Sequence, residues 1–388
     1  MSSHTAPLPR EQAAHLPGML EGLRVVEWAD ETAEYVGMLL AGLGAEIIKI
    51  EPPSGSPTRQ IGPFLDDEPD AERSLHFWGY NRGKSSVVLN PETPEGKDKL
   101  RRLIASADIY LDASKGAAAT ALGIGRKEIA THFPGLIAAR MTPFGDDGPW
   151  KDHKASDLIH LALGGIMMNC GYDPNPAKQY DLPPIAPQLW HAYHIAGDQM
   201  VVGILAALIH RLHTGAGQDL SVAIHEAVSK NTELDVMSWV MRRAPLFRQT
   251  CRHTIEKPTH VPSIGHTKDG RWYIAAGVSV RDQTNLVPFL TGYGMAADLQ
   301  EPSKEADTKA RNIPGSGADD EKKSHMMEIV QRFIRSFRYE DMPWRDAQAA
   351  GLLWSPLRKP HENTPPPAAA LLGRRRPRPD RARQARAD

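Results

Sequence analysis

Asp157 and Asp173 stand at the two ends of an apolar stretch, ASDLIHLALGGIMMNCGYD (155–173). A carboxylate whose protonation is set by burial and nearby dipoles can work as a nucleophile or a general base. The same residue type also closes helices and turns. Ser156 with Asp157 has the form of a helix N-cap, and Asp173 precedes Pro174 in a turn-forming sequence. Cys170 sits between Asn169 and Gly171 with no base beside it, which fits packing better than nucleophilic chemistry. The 16 histidines show no HExxH spacing, so a metal site is not expected. His191 and His194, three apart on one helix face, suit a core or interface role.

The elements that must hold these residues alternate between strand and helix. LRVVEW (23–28) and AEIIKI (45–50) read as buried strands flanking a helix over 31–43, with Gly44 as its stop. SSVVL (85–89), DIYLD (108–112) and LIAARM (136–141) read as further strands. Thr93 and Pro94 open a helix as its cap and first residue. Helices are expected over 157–168 and 191–213, and further helix over 224–243. The alternation predicts an α/β fold with a mostly parallel sheet. Asp269-Gly270 predicts a hairpin turn, and 300–325 a polar surface segment.

With 388 residues, two domains are expected: a large one over 19–221 and a small one over 222–345. Residues 346–363 would return toward the large domain. The stretch 364–388, almost all Pro, Ala and Arg, has the composition of a disordered tail. A net charge of −1 gives no general pull toward nucleic acid. Two cysteines exclude a disulfide framework. No secretory layout opens the chain, and the longest apolar run, 201–209, is too short to span a bilayer. A soluble cytoplasmic protein with no membrane or nucleic-acid partner is the expectation.

Eight collinear blocks carry a resemblance: LEGLRVVEWAD, LLAGLGAEIIKIEPPSGSPTR, YNRGKSSVVLN with TPEGKDKLRRLI, ALGIG, MTPFGDDGPW, SDLIHLALGGIM, GILAALIHRLHTGAGQDLSVAIHEA and TKDGRWYIAAG. Over roughly residues 19–362 the chain resembles the class III CoA-transferase (CaiB/BaiF) family. That resemblance implies a Rossmann-like large domain, a smaller α+β domain and an interlocked homodimer. It also implies coenzyme A as substrate with no tightly bound cofactor. The reaction it implies moves CoA from an acyl-CoA to a carboxylic acid acceptor through an aspartyl-CoA thioester.

Formyl-CoA transferase-like members carry the nucleophile in a TG-x-x-D-G-P-P segment. Here the segment reads CGYDPNPA, with Pro174 at the ungapped position and Asp173 one residue before it. A one-residue loop shift makes Asp173 the expected nucleophile. Asp157 aligns instead with the aspartate of alpha-methylacyl-CoA racemase relatives, with His132 and His153 the nearest histidines. For CoA contacts the resemblance implies Glu31, Lys84, Lys115 and the loop residues Thr142, Phe144 and Gly145. Lys84 and Lys115 are equally readable as solvated surface charges. Besides transfer and α-proton chemistry, a catalytically inert partner subunit or a frame-disrupted family member stays open.

Overall fold

Short, largely apolar strands between helices build a six-stranded sheet in the computed structural model, which describes residues 18–114, 129, 131–188, 190–250, 252–255, 263–276, 280–299 and 320–363. In chain order the elements are β1 (Arg24–Trp28), α1 (Glu34–Gly42), β2 (Glu46–Glu51), α2 (Leu75–Tyr80), β3 (Lys84–Val88), α3 (Pro94–Ala105), β4 (Ile109–Asp112) and β5 (Ile137–Thr142). Then come α4 (Asp157–Leu163), α5 (His191–Thr214), β6 (Asp219–Ala223), α6 (Ile224–Lys230) and α7 (Glu233–Arg242). The strand order is β3-β2-β1-β4-β5-β6, every pairing parallel. The expected α/β fold is borne out.

Successive strand residues point to opposite faces, so each strand feeds two cores. Val25, Ile47, Leu111 and Ala139 pack with Leu40 of α1 and Met200 and Ile204 of α5. Val26, Ile50, Tyr110 and Ala138 pack with Leu100 and Ile104 of α3 on the other face. Thr93 caps α3 as its sequence predicts, its hydroxyl accepting from Gly96 N at 3.1 Å. The strand order reverses direction between β1 and β4. The crevice at the carboxyl ends of strands beside such a reversal is where open α/β sheets bind ligands. The loops after Trp28, Asp112 and Thr142 leave the sheet on that rim.

The helix expected over 157–168 is broken. It ends at Leu163, Gly165 takes φ +89°, and a single 3-10 turn follows at Ile166–Asn169. Glycine alone reaches that backbone region without strain. Asp157 and Asp173 therefore do not sit at two ends of one helix. The stretch 224–243 is likewise two helices, α6 and α7. α5 is long and apolar enough to cross a membrane, yet half of its apolar window is buried inside the fold, as in a core helix.

The chain divides into two compact units, Met1–Gly171 with Pro183–Leu246 and Tyr172–Leu182 with Phe247–Asp388. The division falls after Leu246 rather than at residue 221: α6 packs Ile224, Ala227 and Val228 into the core of the first unit, and α7 follows it in the chain. In the second unit β7 (Phe247–Gln249) and β8 (Arg252–Ile255) form a hairpin. β9 (Ile264–His266) and β10 (Trp272–Ala276) follow, then α8 (Val280–Gly292), α9 (Asp320–Arg335), α10 (Trp344–Ala349) and β11 (Leu353–Pro356). The antiparallel order is β11-β10-β9, with Leu290, Phe333 and Trp354 in the core beneath. Residues 346–363, expected to return to the large domain, instead supply β11 to this sheet. The Asp269-Gly270 turn forms as predicted, Gly270 at φ +76°. Residues 300–319 and the stretch from Thr364 lie outside the described residues, and α9 begins at Asp320.

Candidate functional site

Asp157 is buried, 6% exposed, at the first position of α4. Ser156, not Asp157, caps α4, its hydroxyl accepting from Ile159 N at 3.4 Å. Asp157 Oδ1 accepts instead from Ala192 N at 2.8 Å, in the first turn of α5. Backbone N–H groups of Tyr193 and Trp190 also donate to this carboxylate. Trp190, the residue before α5, offers no side-chain cap of its own. Asp157 is thus the cap of a helix 35 residues away. Burial raises its pKa above the ordinary carboxylate value, and the backbone donors partly offset that rise.

At the end of β5, Thr142 Oγ1 accepts from Gly145 N at 3.0 Å and closes the TPFG turn, with Gly145 at φ +100°. Phe144 is buried at the centre of a ring cluster. Its centroid lies 5.2 Å from His160, 5.5 Å from His225, 5.9 Å from Trp150 and 6.1 Å from His153. Burial and the neighbouring His225 push the His160 pKa down to about 4. Glu31 is half-buried in the loop after β1 and contributes to the raised pKa of Tyr193, behind burial. Thr142, Phe144, Gly145 and Glu31 thus share the carboxyl rim of the sheet. Lys115 lies outside the described residues.

Lys84 is elsewhere. It is the first residue of β3, paired with Ile47 near the start of β2, and its side chain is 2% exposed. Its ammonium donates to Glu27 Oε1 and Oε2 at 2.9 and 2.8 Å and to Glu34 O at 2.8 Å. Lys49 Nζ meets Glu34 Oε1 at 2.7 Å, Ala29 O at 2.7 Å and Glu27 Oε1 at 3.4 Å. Two acids and two lysines thus neutralise one another between the sheet and α1. Burial lowers the lysine pKa values. For Lys49 the carboxylates of Glu27 and Glu34 reverse that, whereas Lys84, also repelled by Lys49, stays below the ordinary value. Gly37 makes room: a Cβ there would lie 1.7 Å from Glu27 Oε2. A solvent-facing Lys84 is therefore corrected to a buried ion-pair partner. The overlooked signal was lysine inside EIIKIE, a strand covered on both faces.

In the second unit, residues 172–182 form a loop held by β7. Arg248 Nε donates to Tyr172 O at 3.3 Å and its NH2 group to Leu182 O at 2.6 Å. Its guanidinium lies 4.3 Å over the ring of Tyr180, whose hydroxyl donates to Arg248 O at 2.7 Å. Half-buried Asp173 accepts at Oδ1 from Thr250 N, at 2.9 Å. One carboxylate oxygen is fixed, and no hydrogen bond falls on Oδ2 among the described residues. Among the described residues, the backbone N–H of Ala192, not a histidine, is what Asp157 Oδ1 accepts from. His194 is satisfied by Tyr80, 2.8 Å away, as expected of a core histidine. Burial pushes the Cys170 thiol pKa up, in keeping with packing. Among the described residues, no group of three or more His, Cys, Asp or Glu could hold a metal.

A family description, CoA-transferase family III, matches residues 20–365. The chain belongs to that family. Family III relatives include a subunit of the succinyl-CoA:(R)-benzylsuccinate CoA-transferase of Thauera aromatica, 32% identical over 216 residues (56% of this chain, 51% of that one). The succinate–glutarate CoA-transferase of Agrobacterium fabrum strain C58 is 30% identical over 296 residues, 75% of this chain and 70% of that one. The chain thus spans about half the length of the first relative and more of the second. Among solved structures, a CaiB/BaiF family protein from Brucella suis superposes with a TM-score of 0.69 at 26% identity, over 89% of this chain and 85% of that one. The family expectation and the α/β architecture stand together on these matches.

Proposed function

We propose that this family III member transfers CoA from an acyl-CoA thioester to a carboxylic acid. The observation that carries this reading is the family match over residues 20–365, shared with relatives that are CoA-transferases. In the reading, Asp173 Oδ2 attacks the acyl carbon and the CoA thiolate leaves, giving an aspartyl mixed anhydride. The thiolate then attacks the aspartyl carbonyl, releasing the donor acid and forming aspartyl-CoA. The acceptor carboxylate reverses these steps, and backbone N–H groups stabilise each oxyanion. Support for Asp173 comes from its anchored Oδ1 and from an Oδ2 that accepts no hydrogen bond among the described residues. Thr142, Phe144, Gly145 and Glu31 are the proposed CoA contacts, with Lys115 retained as a cation for its phosphates. Lys84 and Asp157 are assigned to the framework.

A homodimer belongs to the same reading. α7 buries none of its residues and exposes Leu234, Val236, Met237, Trp239, Val240 and Met241. The reading also places the enzyme in the cytoplasm, with no nucleic-acid or membrane partner. The test is to incubate the protein with succinyl-CoA, trap with hydroxylamine and map the adduct. Modification at Asp173, absent in Asp173→Ala, is expected. Undiminished trapping in Asp173→Ala overturns the nucleophile. No CoA exchange between succinyl-CoA and any of a panel of acids overturns the activity.

A further inference from the structure

Two imidazoles beside the TPFG turn have no assigned work. α4 and α6 meet where Gly164 follows α4: a Cβ there would lie 2.4 Å from Val228 Cγ1. One turn back from this contact stand His160 on α4 and His225 on α6, both against the ring of Phe144. His225 N donates to Pro143 O at 3.1 Å, which ties the start of α6 to the turn after β5. Trp150, 45% exposed, lies 5.3 Å from His225 and covers the cluster from the solvent side.

His160 is 1% exposed. Its Nδ1 and the Nδ1 of His225 are buried and have no hydrogen-bond partner among the described residues. Buried polar atoms are nearly always paired, so two adjacent exceptions at the ligand-binding rim call for a partner that comes from outside the chain. The surroundings define that partner. Phe144, Trp150 and Tyr193 offer flat apolar walls, and among the described residues no lysine or arginine stacks on these rings. A neutral imidazole offers one donor and one acceptor, which suits a hydroxyl or carbonyl better than a carboxylate or phosphate.

We propose that His160 and His225, with Phe144 and Trp150, form a subsite that reads an uncharged hydrogen-bonding group, a hydroxyl or carbonyl, on the acyl chain of the thioester substrate. This rests on the reading that CoA thioesters bind at the TPFG rim. The subsite sets which thioester is accepted and takes no part in bond making.

Calorimetric titration with butyryl-CoA, 3-hydroxybutyryl-CoA and 4-hydroxybutyryl-CoA tests it. At least one hydroxylated ester should bind about tenfold more tightly than butyryl-CoA, the yield of a newly satisfied buried hydrogen bond. His160→Phe and His225→Phe, each checked by thermal melting, should bring that ratio to within about twofold without weakening butyryl-CoA. Equal affinity of wild type for all three esters overturns the subsite, and so does a ratio that survives in the half-buried His225→Phe variant. If no ester binds, the CoA reading itself fails, an outcome separate from equal binding.

Discussion

Asp157→Asn and Asp157→Ala should differ from each other more than the asparagine variant differs from wild type. The wild-type carboxylate accepts backbone hydrogen bonds from Ala192, Tyr193 and Trp190 at the start of α5. Alanine strips the cap from a buried end of a 24-residue helix, placing the loss near the upper end for a cap, about 2 kcal/mol. For a unit of this size that lowers the melting temperature by roughly 4–8 °C. Asparagine keeps an acceptor oxygen and is as good a cap. It also carries no charge into the interior.

Burial raises the Asp157 pKa, so the folded chain holds this proton more tightly than the unfolded chain does. The stability contributed by that preference is complete below the unfolded pKa and is lost as pH rises through the folded one. The melting temperature of Asp157→Asn relative to wild type should therefore rise from pH 3 to pH 7. Calorimetric melts at several pH values, run beside a CoA-exchange assay, check both claims. An asparagine variant that melts like wild type yet loses a hundredfold in exchange would refute the capping argument. So would an alanine variant with an unchanged melting temperature.

Lys84→Ala leaves Glu27 buried with one of its two cations and should cost about 3–5 kcal/mol, seen in denaturant melts. A lysine that merely touched a CoA phosphate would instead raise KM at constant stability. Gly37→Ala drives a methyl group to 1.7 Å from Glu27 Oε2 and should destabilise by about 1–3 kcal/mol or more, by the same melts. His160, with its pKa pushed from 6.5 to about 4, contributes stability that is complete above pH 6.5 and lost as pH falls toward 4. His160→Phe should flatten the fall in melting temperature between pH 6.5 and 4.5.

Five strands of the parallel sheet were legible as short apolar runs between helices, and Thr93-Pro94 gave the α3 start directly; β6, with the half-polar sequence DLSVA, was not read. The break after Leu163 was visible as Gly164-Gly165, but an apolar stretch on both sides of two glycines reads as continuous helix. The role of Asp157 was not legible. Its partners lie 35 residues downstream, and local spacing credits a cap only to its own helix. Lys84 was readable as a solvated charge until the sheet placed Glu27 and Glu34 against it. Asp173 was singled out through its likeness to the family's nucleophile segment, while the residue that fixes its oxygen, Thr250, is 77 positions away and carries no motif.

The excursion of residues 172–182 bears on how this chain could be dissected. The polypeptide leaves the first unit after Gly171, rejoins it at Pro183 and departs again after Leu246. A cut at Leu246 does not separate the units, since it strands the Asp173 loop on the fragment that lacks Arg248 and Thr250. During synthesis that loop emerges long before β7 and waits for it. Expressing the second unit alone would require residues 172–182 to be joined to residue 247 through a linker, making an internal deletion rather than a truncation the natural experiment.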